Sequence, residues 1–255
     1  GTALDECLVI FTLLKDRIII EYPYGISEKE FKSALQRVAD SAKKELSFTQ
    51  IGRLGIGMFS FVQIGRKCTF YSKKDRDSET IKVVLREGSE DAEFSKARKR
   101  ESLENPGIKI AISGLSFDPT KARGPICLDK LQKVFSEKFD SYLRDGSLKI
   151  IINVRGSSYT ITPPPVALPQ VGADYKDWPL AKNRRHKISF SLYFDPTGKG
   201  KVGIRHAGVV VVEDISAISA YGLEESVYAQ GDLRGFIDAD FLEPLPARTG
   251  FKENK

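Results

Sequence analysis

The spacing of apolar and polar positions divides the chain into many short strands and a few helices. Most apolar runs are five to eight residues long and rich in β-branched side chains, and Gly, Pro or charged residues follow them. That pattern is typical of strands, and Lys15-Asp16 between two such runs predicts a tight turn. The predicted strands are 10–14, 17–21, 68–72, 80–85, 107–112, 148–154, 187–194, 203–205, 208–212 and 233–237.

Helical periodicity is confined to a small number of segments. Ser27 and Glu30 have the spacing of a capping box, so a helix is expected from there to about residue 44, with Phe31, Leu35 and Val38 on one face. Residues 128–143 carry an apolar stripe that predicts a second helix. Shorter helices are expected at 2–9 and 215–221, and the charged stretch 86–104 is interpreted as an exposed excursion.

A cluster of five prolines between Pro163 and Pro179 interrupts these patterns. Proline cannot donate to a ladder of backbone hydrogen bonds, so the stretch is predicted to be a linker. The expected domains are 1–165, a linker at 166–182, and a second domain at 183–255 that stops without a clear closing element. The fold class predicted is α+β, and Trp178 is expected to fix the linker in place.

Composition excludes several classes of protein. Of the 255 residues, 41% are hydrophobic, which is enough for a folded core. The sequence has neither a transmembrane run nor a signal-peptide pattern, so no membrane partner is expected. Three cysteines without CxxC spacing and two histidines argue against a disulfide framework, a zinc knuckle or a multi-histidine metal site. A reducing, cytoplasmic location is expected.

The net charge of +6 is compatible with a nucleic-acid binder and with an ordinary soluble enzyme. Two basic runs, 96–100 and 182–187, are candidates for phosphate contacts. Acidic residues surround the first run, which favours a solvated, mixed-charge segment. The second run adjoins the linker and is the better candidate. Neither run has interleaved aromatic residues for stacking on unpaired bases.

Three glycines, Gly52, Gly55 and Gly57, precede an expected helix. Glycines allow a close backbone approach, and a helix N-terminus offers unpaired N–H donors, so together they suit a phosphate group. The spacing is neither the dinucleotide fingerprint nor a Walker loop. A glycine-rich loop packed tightly under a helix explains the spacing equally well.

The segment Gly52-Arg53-Leu54-Gly55-Ile56-Gly57-Met58-Phe59-Ser60 resembles the G-x-x-G-x-G signature of the GHKL ATPases. That superfamily includes gyrase B, the ninety-kilodalton heat-shock chaperones, histidine kinases, MutL and the MORC proteins. In its members this segment ends the ATP lid and holds the phosphates. The resemblance implies that Gly52, Gly55, Ile56 and Gly57 approach ATP, while the N–H groups of Met58, Phe59 and Ser60 cap its phosphates.

A second resemblance lies far along the chain, from Leu233 to Arg248. It is similar to the strand and loop of the chaperone middle domain, whose arginine contacts the γ-phosphate of ATP. Carried over, that arginine is Arg248, which would neutralise charge on the transferring phosphoryl group. The resemblance implies a GHKL (Bergerat-type) α/β sandwich, followed by a smaller α/β domain like that of MutL and the chaperone middle segment.

Three family contacts are missing from the sequence. The family's first helix reads E-x-x-x-N; Glu6 matches its glutamate, which acts on the attacking water, but Ile10 replaces the Mg²⁺-binding asparagine. The adenine motif D-x-G-x-G retains only Gly25-Ile26, and the later G-T is Gly107-Ile108. Either the ATP site is degenerate or segments are absent after Val9 and near Glu21; the second explanation is slightly favoured.

The resemblance therefore implies an ATP-binding, slowly hydrolysing conformational switch of a heat-shock chaperone-like or MORC-like kind. Glu6 and Arg248 would be its catalytic residues, with ATP and Mg²⁺ as cofactors and no metal ligand visible in the sequence. A nucleotide-dependent homodimer and a client protein are the expected partners. The alternative is a non-hydrolysing pseudo-ATPase or a nucleic-acid-associated scaffold module.

Overall fold

The computed structural model describes residues 7–41, 60–89, 91–164, 170–172, 175–180, 184–218, 222–223, 225–245 and 250–251. The chain divides into two compact units. The first contains Gly1–Ser136 and Tyr142–Thr162, and the second contains Glu137–Ser141 and Pro163–Lys255. Large sheets and few helices make the architecture α+β, as the sequence predicts.

The first unit is built on one eight-stranded sheet in the order β5-β4-β3-β6-β2-β1-β7-β8. Neighbouring strands are antiparallel except β1 and β7, which are parallel and join distant parts of the chain. The predicted turn at Lys15-Asp16 connects β1 to β2. The strands are β1 (Cys7–Leu14), β2 (Arg17–Tyr22), β3 (Lys67–Lys73), β4 (Ile81–Arg86), β5 (Glu93–Lys96), β6 (Gly107–Ser113), β7 (Leu148–Val154) and β8 (Ser157–Thr160).

Both long helices lie on the same face of this sheet. Helix α1 (Glu28–Ser41) packs Phe31 against Phe70 of β3, with ring centroids 5.0 Å apart, and α2 (Leu128–Lys138) packs Phe135 against Phe11 of β1 at 4.7 Å. Residues paired directly across strands point to one face. Phe70 connects to Phe11 through the pairs Phe70–Ile110, Ile110–Ile20 and Ile20–Phe11, so the face under α1 continues under α2.

The opposite face of the sheet carries polar and charged contacts besides apolar residues such as Ile10 and Val84. Glu101, which follows β5, accepts a hydrogen bond from Lys82 at 2.8 Å and another from the Tyr71 hydroxyl at 3.2 Å. Lys109 and Glu21 form an ion pair at 3.4 Å on adjacent strands. Alternation between this face and the apolar helix-bearing face is what makes these segments strands.

The second unit has a five-stranded sheet in the order β12-β11-β13-β10-β9. β11 and β13 are parallel, and the other neighbours are antiparallel. Val202, Ile204, Val211, Val212 and Ile215 form the centre of its core. The strands are β9 (Tyr175–Pro179), β10 (Lys187–Phe194), β11 (Val202–His206), β12 (Val209–Val212) and β13 (Leu233–Asp238).

The helix predicted at 2–9 is wrong where the structure describes it, because Cys7–Val9 belong to β1. This strand is paired on both sides, with β2 and with β7, so its apolar residues serve a central strand instead of one helix face. The Cys7 N–H donates to the Ser147 carbonyl at 2.9 Å and continues the pairing to the start of the strand.

Other boundaries also differ from the predictions. The helix predicted at 128–143 is two helices: α2 ends at Lys138, and α3 (Asp140–Arg144) follows it. The first residue of α3 is Asp140, and a carboxylate is stabilising at a helix N-terminus. The excursion at 86–104 contains β5, and its basic run is exposed and mixed in charge, with Lys96 paired to Glu79. The predicted helix at 215–221 is a one-turn 3₁₀ helix, Ile215–Ala217, in the described residues.

The linker predicted at 166–182 contains an ordered strand. Residues Tyr175–Pro179 form β9, the edge strand of the second sheet. The prediction excluded a strand because of the prolines. Pro179 is tolerated because it is the last residue of an edge strand, where one side of the strand has no partner.

Candidate functional site

Most of the residues predicted to bind or act on ATP lie outside the described residues. They are Glu6, Gly52, Gly55, Ile56, Gly57, Met58, Phe59 and Arg248. Ser60 alone among the predicted site residues is described, and it is exposed at the start of a one-turn 3₁₀ helix, Ser60–Gln63. The roles assigned to all of these residues stay predictions.

The two ends of the glycine-rich region are anchored on the helix-bearing face of the first sheet. Helix α1 precedes it and ends at Ser41, and the short helix Ser60–Gln63 follows it. Phe61 of that short helix and Phe31 of α1 are buried in the same core cluster. The chain therefore enters and leaves residues 42–59 from one side of the sheet, the side on which the helices lie.

Gly25, retained from the adenine motif, and Gly107, from the later motif, meet at one end of the first sheet. A Cβ atom added to Gly25 would lie 1.9 Å from the Lys73 carbonyl oxygen and 2.8 Å from the Gly107 carbonyl oxygen. Real Cβ atoms do not approach backbone oxygens that closely. A side chain is therefore excluded at position 25, and three segments distant in sequence are held in backbone contact.

Ser72 of β3 forms two hydrogen bonds with Ile26, the residue after Gly25, and so stabilises the junction of Gly25, Lys73 and Gly107. Its hydroxyl accepts a hydrogen bond from the Ile26 N–H and donates one to the Ile26 carbonyl, both at 2.7 Å. Ser72 is buried, and its neighbours of the same parity on β3 are Cys68 and Phe70. A serine at an inward position of an apolar strand was the signal for this contact, and sequence reasoning missed it.

The start of α1, directly after this junction, is stabilised by the hydrogen bonds and the ion pair of the Glu30 carboxylate. The Glu30 carboxylate accepts hydrogen bonds from Lys74 and from the N–H and hydroxyl of Ser27, each at 2.7 Å or less. These contacts, the one with Lys74 first, lower the pKa of Glu30 to about 2. The capping box predicted from the sequence is confirmed, and Lys74 extends it to the β3–β4 turn.

The described residues do not fit a magnesium site of the family's kind. Ile10, at the position of the family's asparagine, is next to Phe11 in β1 and therefore points to the face without helices. Ile108, at the position of the family's threonine, is a buried apolar residue. Within the part of the chain that the structure describes, no group of three or more His, Cys, Asp or Glu side chains is placed to hold a metal ion.

Of the two positions at which the resemblance lapses, Val9-Ile10 lies inside β1 and Glu21-Tyr22 forms the end of β2. β1 runs through Val9-Ile10 in unbroken register with β7, and β2 runs through Glu21-Tyr22 in register with β6. The chain as it stands therefore forms both strands without a gap.

The described residues on the two sides of positions 246–249 pair with each other. The Leu245 N–H donates to the Gly250 carbonyl at 2.9 Å, and Pro244 pairs with Phe251. Before it, the Arg205 guanidinium binds both carboxylate oxygens of Asp238 at 2.7 Å. The residues leading into and out of 246–249 are thus held by paired contacts.

All three cysteines are free, as the sequence predicts. Cys68 is buried in the first core, and the loss of hydration raises the pKa of its thiol to about 12. Burial in the core makes Cys68 a packing residue instead of a nucleophile. No helix among the described residues is long and apolar enough to cross a membrane.

Comparison with known families gives one match. Residues 16–107 match a family described as "Histidine kinase-, DNA gyrase B-, and HSP90-like ATPase". The match begins at the turn before β2 and ends at the first residue of β6, so it contains α1, Gly25, Ser72 and the glycine-rich segment. It supports a GHKL-type ATPase domain and, with it, ATP binding. A search of curated proteins finds no match.

Proposed function

We propose that this protein is an ATP-binding conformational switch of the GHKL type, chaperone-like or MORC-like, that hydrolyses ATP slowly. The observation that carries the proposal is the family match over residues 16–107, which contains β2 to β5 of the first sheet and helix α1. The glycine-rich segment lies inside the match, and its two flanks are on the helix-bearing face of that sheet. Gly52, Gly55, Ile56 and Gly57 with the N–H groups of Met58, Phe59 and Ser60 would hold the phosphates.

Glu6 and Arg248 are the residues proposed to act during hydrolysis. Glu6 directly precedes β1, and Arg248 lies between the paired residues Leu245 and Gly250. A carboxylate can orient or deprotonate the attacking water, and an arginine can neutralise charge that develops on the phosphoryl group. ATP-dependent homodimerisation and binding of a client protein are further parts of this proposal.

A second candidate function is ATP binding without hydrolysis. Ile10 favours it, because an apolar side chain on the face without helices replaces the expected magnesium ligand. In this case ATP would act as a structural ligand, and Glu6 and Arg248 would have no catalytic role.

Thermal unfolding with and without ATP tests the binding step. A ligand that binds only the folded state stabilises it by about 2.7 kcal/mol at a concentration of 100 Kd. We expect ATP to raise Tm, and Gly55→Val to abolish the increase. Gly124→Ala is the matched control, because its added Cβ would meet only an ordinary contact of 3.5 Å with the Ile126 carbonyl oxygen. No shift at millimolar ATP in the unmodified chain would overturn the proposal.

Steady-state turnover separates the two candidates. Slow hydrolysis that falls in Arg248→Ala with unchanged ATP affinity supports the switch that hydrolyses ATP. Arg123→Ala, an exposed arginine of the first unit, is the control. A Tm shift without measurable turnover, in either the presence or absence of Mg²⁺, supports the candidate that only binds. Size-exclusion chromatography with ATP measures the proposed dimer.

A further inference from the structure

The β9–β10 hairpin of the second unit exposes aromatic rings at the edge of its sheet. Trp178 is 54% exposed and Tyr175 is 37% exposed. The Tyr175 ring stacks on Phe190 of β10 at 4.7 Å, and Trp178 meets Tyr175 edge to face at 5.4 Å. Tryptophan is highly buried on average, so an exposed one at the end of an ordered aromatic group indicates a binding surface.

The same hairpin brings the described part of the second basic run, residues 184–187, next to these rings. The Leu180 N–H donates to the His186 carbonyl at 2.9 Å and closes the hairpin, so Arg184 and Arg185 lie in the turn just beyond Trp178. Lys187 pairs with Pro179 across the strands. The residues described between 175 and 190 include four lysines and arginines, and the acidic residue among them is Asp177. The described residues of the hairpin therefore carry a net positive charge.

Two contacts hold the hairpin in one conformation. The His186 ring stacks on Phe241 at 4.6 Å, and the Asp177 N–H donates to the Ser189 hydroxyl at 3.0 Å. Aromatic and cationic groups that are ordered before binding lose less entropy when a ligand arrives.

The edge of β9 is poorly suited to pairing with another strand. Asp177 has φ of +52°, the register with β10 is irregular between Ile188 and Phe190, and Pro179 lacks an N–H donor. Such bulges and prolines are the usual protection of sheet edges. A partner would therefore contact the side chains of the hairpin instead of its backbone edge.

We propose that the β9–β10 hairpin binds single-stranded nucleic acid. Trp178 and Tyr175 stack on unpaired bases, while Lys176, Arg184 and Lys187 contact the phosphates. Stacking rings beside cations are the standard recognition of unpaired bases on a phosphate backbone. A duplex hides its base faces inside the stack, and an acidic peptide offers no flat ring to Trp178. This function goes beyond the proposed ATP switch and does not depend on it.

Trp178 reports on its own site, because it is the single tryptophan of the chain. Twelve-nucleotide oligothymidylate and oligouridylate should each quench its fluorescence, and the two titrations compare DNA with RNA. Logarithmic affinity should fall linearly with logarithmic salt concentration, by a slope of about 0.7 per phosphate contact. An absence of quenching by both oligonucleotides would overturn the proposal.

Substitutions test the two kinds of contact separately. Trp178→Ala should weaken binding roughly 5- to 150-fold, measured by the anisotropy of a labelled oligonucleotide, while Trp178→Phe keeps most of the affinity. Tyr159→Ala removes an exposed aromatic residue of the first unit and is the control. Arg184→Gln with Lys187→Gln should lower the salt slope by about 1.4, and Lys15→Gln with Arg123→Gln should leave it unchanged.

Three other results would contradict the proposal. The first is equal affinity for a duplex together with no effect of Trp178→Ala, which would indicate non-specific charge attraction. The second is displacement of the oligonucleotide by poly-glutamate with the same dependence on Trp178, which would indicate an acidic protein partner. The third is quenching that depends on protein concentration without nucleic acid, which would indicate a second copy of the chain on this surface.

Discussion

Two groups of aromatic side chains differ in what surrounds them. Under α1, Phe31 meets the rings of Phe70 and Phe94 and is completely buried. At the β9–β10 hairpin, Tyr175 also meets Trp178 edge to face and stacks on Phe190, but Tyr175 and Trp178 remain exposed. Buried rings contribute to the stability of the fold, whereas exposed rings in fixed positions are available to a ligand. The same type of side chain therefore serves folding in one unit and binding in the other.

Removing one ring from each group gives the largest expected contrast. Phe31→Ala should lower the free energy of unfolding by about 3–5 kcal/mol, because it leaves a cavity between α1 and the sheet. Trp178→Ala should change it by about 0.5 kcal/mol or less, as for a surface position. Urea denaturation followed by circular dichroism measures both. Similar decreases in the free energy of unfolding in both variants would show that Trp178 contributes to the core, and would contradict the distinction between the two groups of rings.

The glycine junction beside Phe31 tests how tightly the first unit is packed. Gly25→Ala should destabilise the fold by about 3 kcal/mol, because the new Cβ would collide with the Lys73 carbonyl, part of a strand paired on both sides. Gly124→Ala, in the same unit, has room for its methyl group and should have little effect. Thermal unfolding of the two variants side by side is the measurement, and equal midpoints would mean that the junction is loose.

Ser72 contributes a smaller share of the same junction. Ser72→Ala leaves the N–H and carbonyl of Ile26 without their partner, so we expect a loss of about 2 kcal/mol. Ser158→Ala is the control, because that serine is exposed on β8 and its hydroxyl donates to the Asn153 side-chain oxygen on the neighbouring strand. If ATP binding depends on Gly25-Ile26, Ser72→Ala also reduces the ATP-induced increase in Tm, and Ser158→Ala does not.

The exposed side of α1 gives the smallest effect, and it depends on pH. Lys74 and Ser27 lower the pKa of Glu30 to about 2 in the folded protein, below the ordinary value of 4.5. A depressed carboxyl pKa adds stability above pH 4.5 that is lost as the pH falls toward 2. Glu30→Gln should remove this part of the pH dependence of Tm. An unchanged pH profile would mean that the capping contacts are not maintained in solution.

Local patterns predicted most of the elements but not how the chain is assembled. The β1–β2 turn, the capping box of α1 and strands such as β6 follow from alternation and turn residues, and they are confirmed. The parallel pairing of β1 with β7 joins distant segments, so no local pattern reports it, and Cys7–Val9 were predicted as helix. The prolines near Pro179 concealed β9, and only the hairpin shows Trp178 beside Arg184.

For the candidate ATP site, the sequence and the structure contribute different residues. The glycine-rich motif, Glu6 and Arg248 were found through resemblance, and except for Ser60 they lie outside the described residues. Conversely, the close approach of Gly25 to Lys73 and Gly107, and the Ser72 contact with Ile26, needed coordinates. Contacts between residues far apart in sequence have no periodicity, so the sequence marks a polar residue at an inward position, such as Ser72, but does not identify its partner.

The parallel pairing of β1 and β7 has a consequence for biosynthesis. Cys7 pairs with Leu148, so β1 has β2 on one side but lacks its other neighbour until about 140 more residues have been made. At ribosomal rates of about 5–20 residues per second, this delay is roughly 7 to 30 seconds. Throughout it, one edge of the apolar strand CLVIFTLL is unpaired. The nascent chain thus exposes unpaired backbone N–H and carbonyl groups on this edge for most of the synthesis of the first unit. An exposed apolar strand edge can pair with another chain, so we expect aggregation or chaperone binding to begin at this strand.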